Sequence, residues 1–126
     1  MPLINDWAKK RVEEVTSIEL EAQKSYKSEI KGLGSKILQN GLYGTIAYYK
    51  VKRNRESERR SSKALELILR HIESAVKERI GIEHITDMEP IDDTTYMRAQ
   101  ESVVDAIKWL RRYADILIVT EGEDDE

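Results

Sequence analysis

From residue 4 to residue 30 the apolar positions recur at three- and four-residue steps. Ile4, Trp7, Ala8, Val12, Val15, Ile18, Ala22, Tyr26 and Ile30 share one stripe, and Lys9, Lys10, Glu13, Glu14, Glu19, Glu21 and Lys24 fill the other face. That period predicts one amphipathic helix over residues 4–31. Asn5 or Asp6 is placed to cap its start. Gly32 and Gly34 are placed to end it, because glycine readily takes the left-handed conformation beyond a helix.

Residues 35–51 carry two conflicting patterns. Asn40-Gly41 is a strong hairpin-turn signal, and Tyr43, Thr45, Ile46, Tyr48, Tyr49 and Val51 favour strands. Yet Ile37, Gly41, Gly44 and Tyr48 also fall on one helical stripe, with Ser35 able to cap it. In a helix, Gly41 and Gly44 would make a smooth patch for close approach of a crossing helix. Local propensity does not choose between the two.

Later segments read more simply. Residues 52–60 are polar and basic, so they predict a loop or frayed helix ends, with Ser61 and Ser62 as caps. Leu65, Ile68, Leu69, Ile72, Ala75, Val76 and Arg79 mark a helix that stops at Gly81. Pro90 and several acids make residues 82–93 irregular, with one short helical turn. Asp93 or Thr94 is expected to cap the last helix. Its seam is Val103, Ile107, Leu110, Ala114 and Leu117, preceded by Tyr96, Ala99 and Gln100. Lys108, Arg111, Arg112 and Asp115 point away from that seam. Residues 120–126 predict an acidic, disordered tail. No repeat recurs at a solenoid period.

Length narrows this to one domain, since 126 residues do not make two. The core must be aliphatic, with Tyr and Trp at its margins, because the chain has two Trp and no Phe. Without cysteine, disulfides, thiolate chemistry and cysteine-based zinc sites are excluded. No stretch approaches the roughly 18 apolar residues of a membrane span. Met1-Pro2-Leu3 opens no secretory signal, so the expected location is the cytoplasm.

The net charge of −3 hides an uneven distribution. Lys50, Lys52, Arg53, Arg55, Arg59, Arg60 and Lys63 crowd one segment, opposed only by Glu56 and Glu58. Arginine-rich segments suit bidentate phosphate contacts, and Tyr48 and Tyr49 just upstream offer base stacking. The plainer reading is a solvated loop with internal ion pairs. Lys108, Arg111 and Arg112 form a second basic ridge on one helix face, where pairing with Asp105 and Asp115 is the plainer reading. Glu83, Asp87, Glu89, Asp92, Asp93, Glu101 and Asp105 make an acidic region opposed by Arg98. A basic and an acidic segment on one small chain point to head-to-tail contacts between copies. His71 and His84 lie far apart and make a poor ligand set, His71 being flanked by core positions. Gly41-Leu42-Tyr43-Gly44 lacks the Lys-Ser/Thr of a phosphate-binding loop. No residue set supports catalysis or a metal.

Two blocks resemble a known family. Ile37 to Leu42, with Asn40-Gly41-Leu42 at its centre, leads into Ala47 and Lys50. Tyr96-Met97-Arg98-Ala99-Gln100 leads into Lys108-Trp109-Leu110-Arg111-Arg112-Tyr113-Ala114. Their order is similar to that in the small helical subunit of type III-B CRISPR effectors, the fifth protein of the Cmr complex. The resemblance decides residues 35–51 for helix. It implies an all-α, single-domain bundle of four to five helices over residues 1–119, without enzymatic activity, cofactor or small-molecule substrate. The implied partners are guide RNA, target RNA, other Cmr-complex subunits and copies of the chain itself. The RNA-facing residues would then be Lys50, Lys52, Arg53, Arg55, Arg59 and Arg60, with Lys108, Arg111 and Arg112. The rival reading is a structural adaptor, or the comparable small subunit of a related CRISPR subtype, without direct RNA contact.

Overall fold

The computed structural model describes residues 3–55 and 61–119. Among the described residues four α-helical segments run in order: α1 (Ile4–Val15), α2 (Leu20–Arg55), α3 (Ser61–Ile80) and α4 (Asp93–Leu117). A short 3-10 turn, Ile85–Asp87, joins α3 to α4. No strand occurs among the described residues, so the fold is all-α. The tail at residues 120–126 lies outside the described residues.

The course of α2 is set by Gly41, whose φ of 76° and ψ of 167° leave helical geometry. In a straight helix Glu29 and Lys52 would stand about 35 Å apart, at 1.5 Å per residue. Instead Lys52 Nζ donates to Glu29 Oε2 at 2.7 Å. Tyr49 Oη donates to Glu29 Oε1 at 2.9 Å. The two arms of α2, residues 20–40 and 42–55, therefore run antiparallel as a helical hairpin. Asn40-Gly41 does reverse the chain, but between helices rather than strands.

Restarting a helix at residue 42 frees backbone N–H groups that need acceptors. Side chains of α4 supply them. Leu42 N–H donates to Gln100 Oε1 at 2.9 Å, and Tyr43 N–H donates to Tyr96 Oη at 3.1 Å. Thr45 Oγ1 donates to the Gly41 carbonyl at 2.9 Å, and Tyr43 Oη to the Glu89 carbonyl at 2.6 Å. The Tyr43 and Tyr96 rings meet edge to face, 4.9 Å between centroids.

Of the two glycines expected beneath a crossing helix, only Gly41 is there. A Cβ on it would lie 3.0 Å from Tyr96 Oη. Gly44 is exposed, and a Cβ there would meet only Asn40 Cβ, at 3.3 Å.

The predicted helix over residues 4–31 is interrupted at residues 16–19. Thr16 Oγ1 donates to the Glu13 carbonyl and Ser17 Oγ to the Glu14 carbonyl, each at 2.7 Å. Such local bonds compete with helix propagation. Gln23 Nε2 then donates to the Ile18 carbonyl at 2.7 Å across the break. Gly32, Gly34 and Ser35 end and cap nothing; all three lie within the first arm of α2. Leu3 is the N-cap residue of α1 and no side chain caps it, so neither Asn5 nor Asp6 serves. Asp92 caps α4, one residue before the expected position, its Oδ2 accepting from Thr95 N–H at 3.1 Å. Gly81, at φ 75°, ends α3 as expected, its N–H donating to the Lys77 carbonyl at 3.0 Å.

Gly34 has nothing within 4 Å of an added Cβ and has helical backbone. Gly34→Ala is therefore expected to stabilise the protein by about 1 kcal/mol, since alanine loses less conformational freedom in a helix. An unchanged or lower urea midpoint would show that this arm is not helical at residue 34 in solution.

α1 packs on α4, and α2 packs on both α3 and α4. The seams predicted for α3 and α4 face the core: Leu65, Ile68, Ile72 and Val76 meet Val103, Ile107, Leu110 and Ala114. Each of these Leu, Ile and Val side chains contributes roughly 1.5–3 kcal/mol on burial. Three polar ties cross the core. Trp7 Nε1 donates to Ser74 Oγ at 2.9 Å. The buried Lys27 Nζ donates to the Ile118 carbonyl at 2.9 Å, closing the end of α4. His71, on α3, sits between Tyr26 Oη at 2.8 Å and Glu14 Oε1 at 3.2 Å, joining α1, α2 and α3. Among the described residues no helix is long and apolar enough to cross a membrane.

Candidate nucleic-acid interface

The basic segment splits into distinct environments. Within the second arm of α2, Tyr48, Lys52 and Arg55 recur at i, i+4 and i+7 and so share a face. Lys50 and Arg53 fall toward other sides of the helix; both are half-buried, while Arg55 is exposed. Arg59 and Arg60 lie outside the described residues. The second ridge is on another helix. There Lys108, Arg111 and Arg112 are all exposed.

Lys52 is the residue whose setting departs most from a free phosphate contact. Its ammonium is held by Glu29, which Lys36 also approaches at 3.6 Å. Glu29 itself is largely buried. Burial opposes its charge, but the hydrogen bonds from Lys52 and Tyr49 and the positive charges of Lys52 and Lys36 outweigh it, holding the carboxyl below its ordinary value. Glu29 therefore stays ionised at neutral pH. Burial, then the charge of Glu29, pushes the Tyr49 hydroxyl far above its ordinary range, so it remains a donor.

Above this cluster lies an aromatic face that the sequence reading only partly anticipates. Lys36 Nζ stands 5.5 Å, and Lys52 Nζ 5.8 Å, from the Tyr48 ring centroid. Cations at such distances are attracted to the ring. Tyr49 meets Tyr48 edge to face at 5.1 Å. Tyr49 is buried, whereas Tyr48 is 42% exposed. Lys36 lies outside the basic segment that the sequence marks as RNA-facing. Only the reversal at Gly41 brings it beside Tyr48, so no local sequence signal marks it.

The α4 ridge has a simpler build. The Arg112 guanidinium stacks over Trp109, 4.8 Å from the ring centroid. Lys108 lines an open groove of 730 Å³ with Leu38, Arg79, Met97, Arg98 and Asp105. Asp105 pairs with Arg79 at 3.5 Å, an acid expected to pair with Lys108 thus facing α3 instead.

The two histidines are separate. His71 is buried; the loss of hydration on burial and the charges of Arg11 and Arg70 push its imidazole down to about 3. A neutral ring then accepts from Tyr26 Oη at Nδ1 and donates from Nε2 to Glu14. His84 is exposed, in left-handed backbone at φ 59°, with Nδ1 3.5 Å from Glu73 Oε1. Among the described residues no group of three or more His, Cys, Asp or Glu side chains is placed to hold a metal ion.

The family model described as CRISPR-associated protein (Cas_Cmr5) matches residues 3–117. Over 112 residues the chain is 33% identical to the CRISPR system Cmr subunit Cmr5 of Thermotoga maritima, an alignment covering 89% of this chain and 80% of that relative. No solved structure gives a significant match. A family model spanning every described helix from end to end, together with a relative of that identity and coverage, shows that this chain belongs to the Cmr5 family of CRISPR-associated proteins.

Proposed function

We propose that the chain is the non-catalytic small subunit of a type III-B Cmr ribonucleoprotein effector. In this reading it sits among other Cmr subunits and head-to-tail copies of itself, along the guide and target RNA. Base pairing supplies sequence recognition, and the protein supplies charge and shape. The relative from Thermotoga maritima is named as a subunit of a Cmr system, which supports the assembly part. The observation that carries the RNA part is the shared face of Tyr48, Lys52 and Arg55, an exposed aromatic set among cations. The lack of cysteine and the burial of His71 in a structural tie support a role without chemistry.

The test uses complexes reconstituted with wild-type chain or with Lys36, Lys52 and Arg55 changed together to Gln, matched for subunit content. Glu29→Gln is included in that variant, so that no half-buried carboxylate is left without its cations. Each phosphate contact to single-stranded RNA adds about 0.7 to the slope of log affinity against log salt, so losing three should reduce it by about 2. Sequence preference should not change, since phosphates carry no sequence information. Unchanged affinity and slope would remove this face of α2 from the RNA path, leaving the Lys108–Arg112 ridge or a purely structural role.

A further inference from the structure

Tyr48 and Tyr49 are adjacent but do different work. Tyr49 is buried and donates to Glu29, whereas Tyr48 projects from the outer side of the hairpin. Its surroundings keep that ring open. Gly44, one turn earlier on the same face, presents no side chain, and Val51 and Arg55, one and two turns later, are both exposed. Glu29 draws the ammonium groups of Lys36 and Lys52 together from opposite arms, at 3.6 and 2.7 Å. Both come to rest within 6 Å of the Tyr48 centroid, at 5.5 and 5.8 Å. The Glu29 carboxylate is less exposed than the cations it holds, 16% against 33% and 28%, so the side of the ring under Lys36 and Lys52 is positive toward solvent.

We propose that Tyr48 is a stacking platform for one unpaired base of single-stranded RNA, with Lys36, Lys52 and Arg55 receiving the phosphates beside it. Every base has a π-face, so the contact is tolerant of sequence. Glu29 and Tyr49 act as positioning residues: they fix the two lysines, and Tyr49 braces the ring edge-on. This inference rests on the RNA-contacting reading above and adds to it a base-level contact on a named side chain.

The experiment titrates the full chain, and the reconstituted complex, with single-stranded oligouridylate carrying one 2-aminopurine. Stacking on tyrosine quenches that base. Tyr48→Ala is expected to abolish the quench and weaken binding about 5- to 150-fold, the range for one stacked base. Its salt slope should match wild type, because no phosphate contact is lost. Tyr48→Phe should bind and quench like wild type, and Tyr48→Trp at least as well. Thermal melts of all three should coincide with wild type, the ring being outside the core. Wild-type binding and quench in Tyr48→Ala, with weakened binding in the Lys36/Lys52/Arg55 variant, would overturn the stacking platform and leave the phosphate reading standing. No RNA binding by wild-type chain or complex would remove both. Failure of Tyr48→Ala to enter the complex, with unchanged RNA binding by the free chain, would overturn the proposal in favour of a protein contact.

Discussion

Gly41→Ala is expected to destabilise the protein by about 2–6 kcal/mol, the sum of two costs of about 1–3 kcal/mol each. The first is backbone strain. A φ of 76° with ψ of 167° lies in a region open essentially to glycine alone. The second comes from the neighbour. The new Cβ would lie 3.0 Å from Tyr96 Oη, the atom that accepts from Tyr43 N–H at 3.1 Å. Moving Tyr96 aside leaves a half-buried N–H unpaired at the start of the second arm. Chemical denaturation of the variant reads the effect directly. Tyr96→Phe in the same background separates the costs, since it removes the acceptor without altering φ. Wild-type stability in Gly41→Ala would mean that the arms do not reverse at this residue.

Acid is expected to weaken the fold well above the pH at which carboxylates titrate. His71 is neutral when folded because burial and the charges of Arg11 and Arg70 hold it down to about 3. Glu14 at 3.2 Å pulls the other way, but it is half outside the core while the ring is inside. An unfolded histidine titrates near 6.5. A folded value below the unfolded one means that the stability is fully present above about pH 6.5 and is lost as pH falls toward 3. Within that window the loss approaches about 1.4 kcal/mol per pH unit, or about 2–3 kcal/mol between pH 6.5 and 4.5. His71→Gln keeps one donor and one acceptor for Glu14 and Tyr26 and removes the titration. Urea midpoints for both proteins at pH 7 and pH 5 make the comparison. An equal fall in both would assign the acid sensitivity elsewhere.

Sequence alone reached different depths in different elements. α3 and α4 were legible because their apolar stripes face a single core and end at Gly81 and at an acidic cap. The break after α1 was hidden because Val15, Ile18 and Ala22 keep helical spacing across it, so no gap in the pattern shows where Thr16 and Ser17 turn their hydroxyls onto the preceding carbonyls. Gly32 and Gly34 misled in the other direction, since packing of Ile30, Leu33 and Ile37 overrides a weak local preference. The signal at Asn40-Gly41 was real, but a turn dipeptide says where a chain reverses, not what it joins. The site depended on that distinction. Lys52 reads as a free cation in sequence because Glu29, its partner, lies in the other arm. Lys36 carries no mark at all until the arms are laid side by side. The exposed ridge at Lys108, Arg111 and Arg112 needed no tertiary knowledge, because opposition to an apolar seam on one helix suffices.

The Glu29 carboxylate has a consequence for alignment within the hairpin. Two helices meeting through Ile, Leu and Tyr can slide past one another by a turn, about 5.4 Å, and still bury similar apolar area. A charged group inside the seam forbids the slide. Shifted by one turn, Glu29 would lose both hydrogen bonds from the other arm, those of Tyr49 and Lys52, and keep only the looser approach of Lys36 at 3.6 Å, a cost that disfavours the shifted alignment. The polar trio thus works as a key that admits one alignment of the arms. The same key sets where Tyr48 emerges along the outer surface, so a group lying beneath the ring determines its address on the molecule.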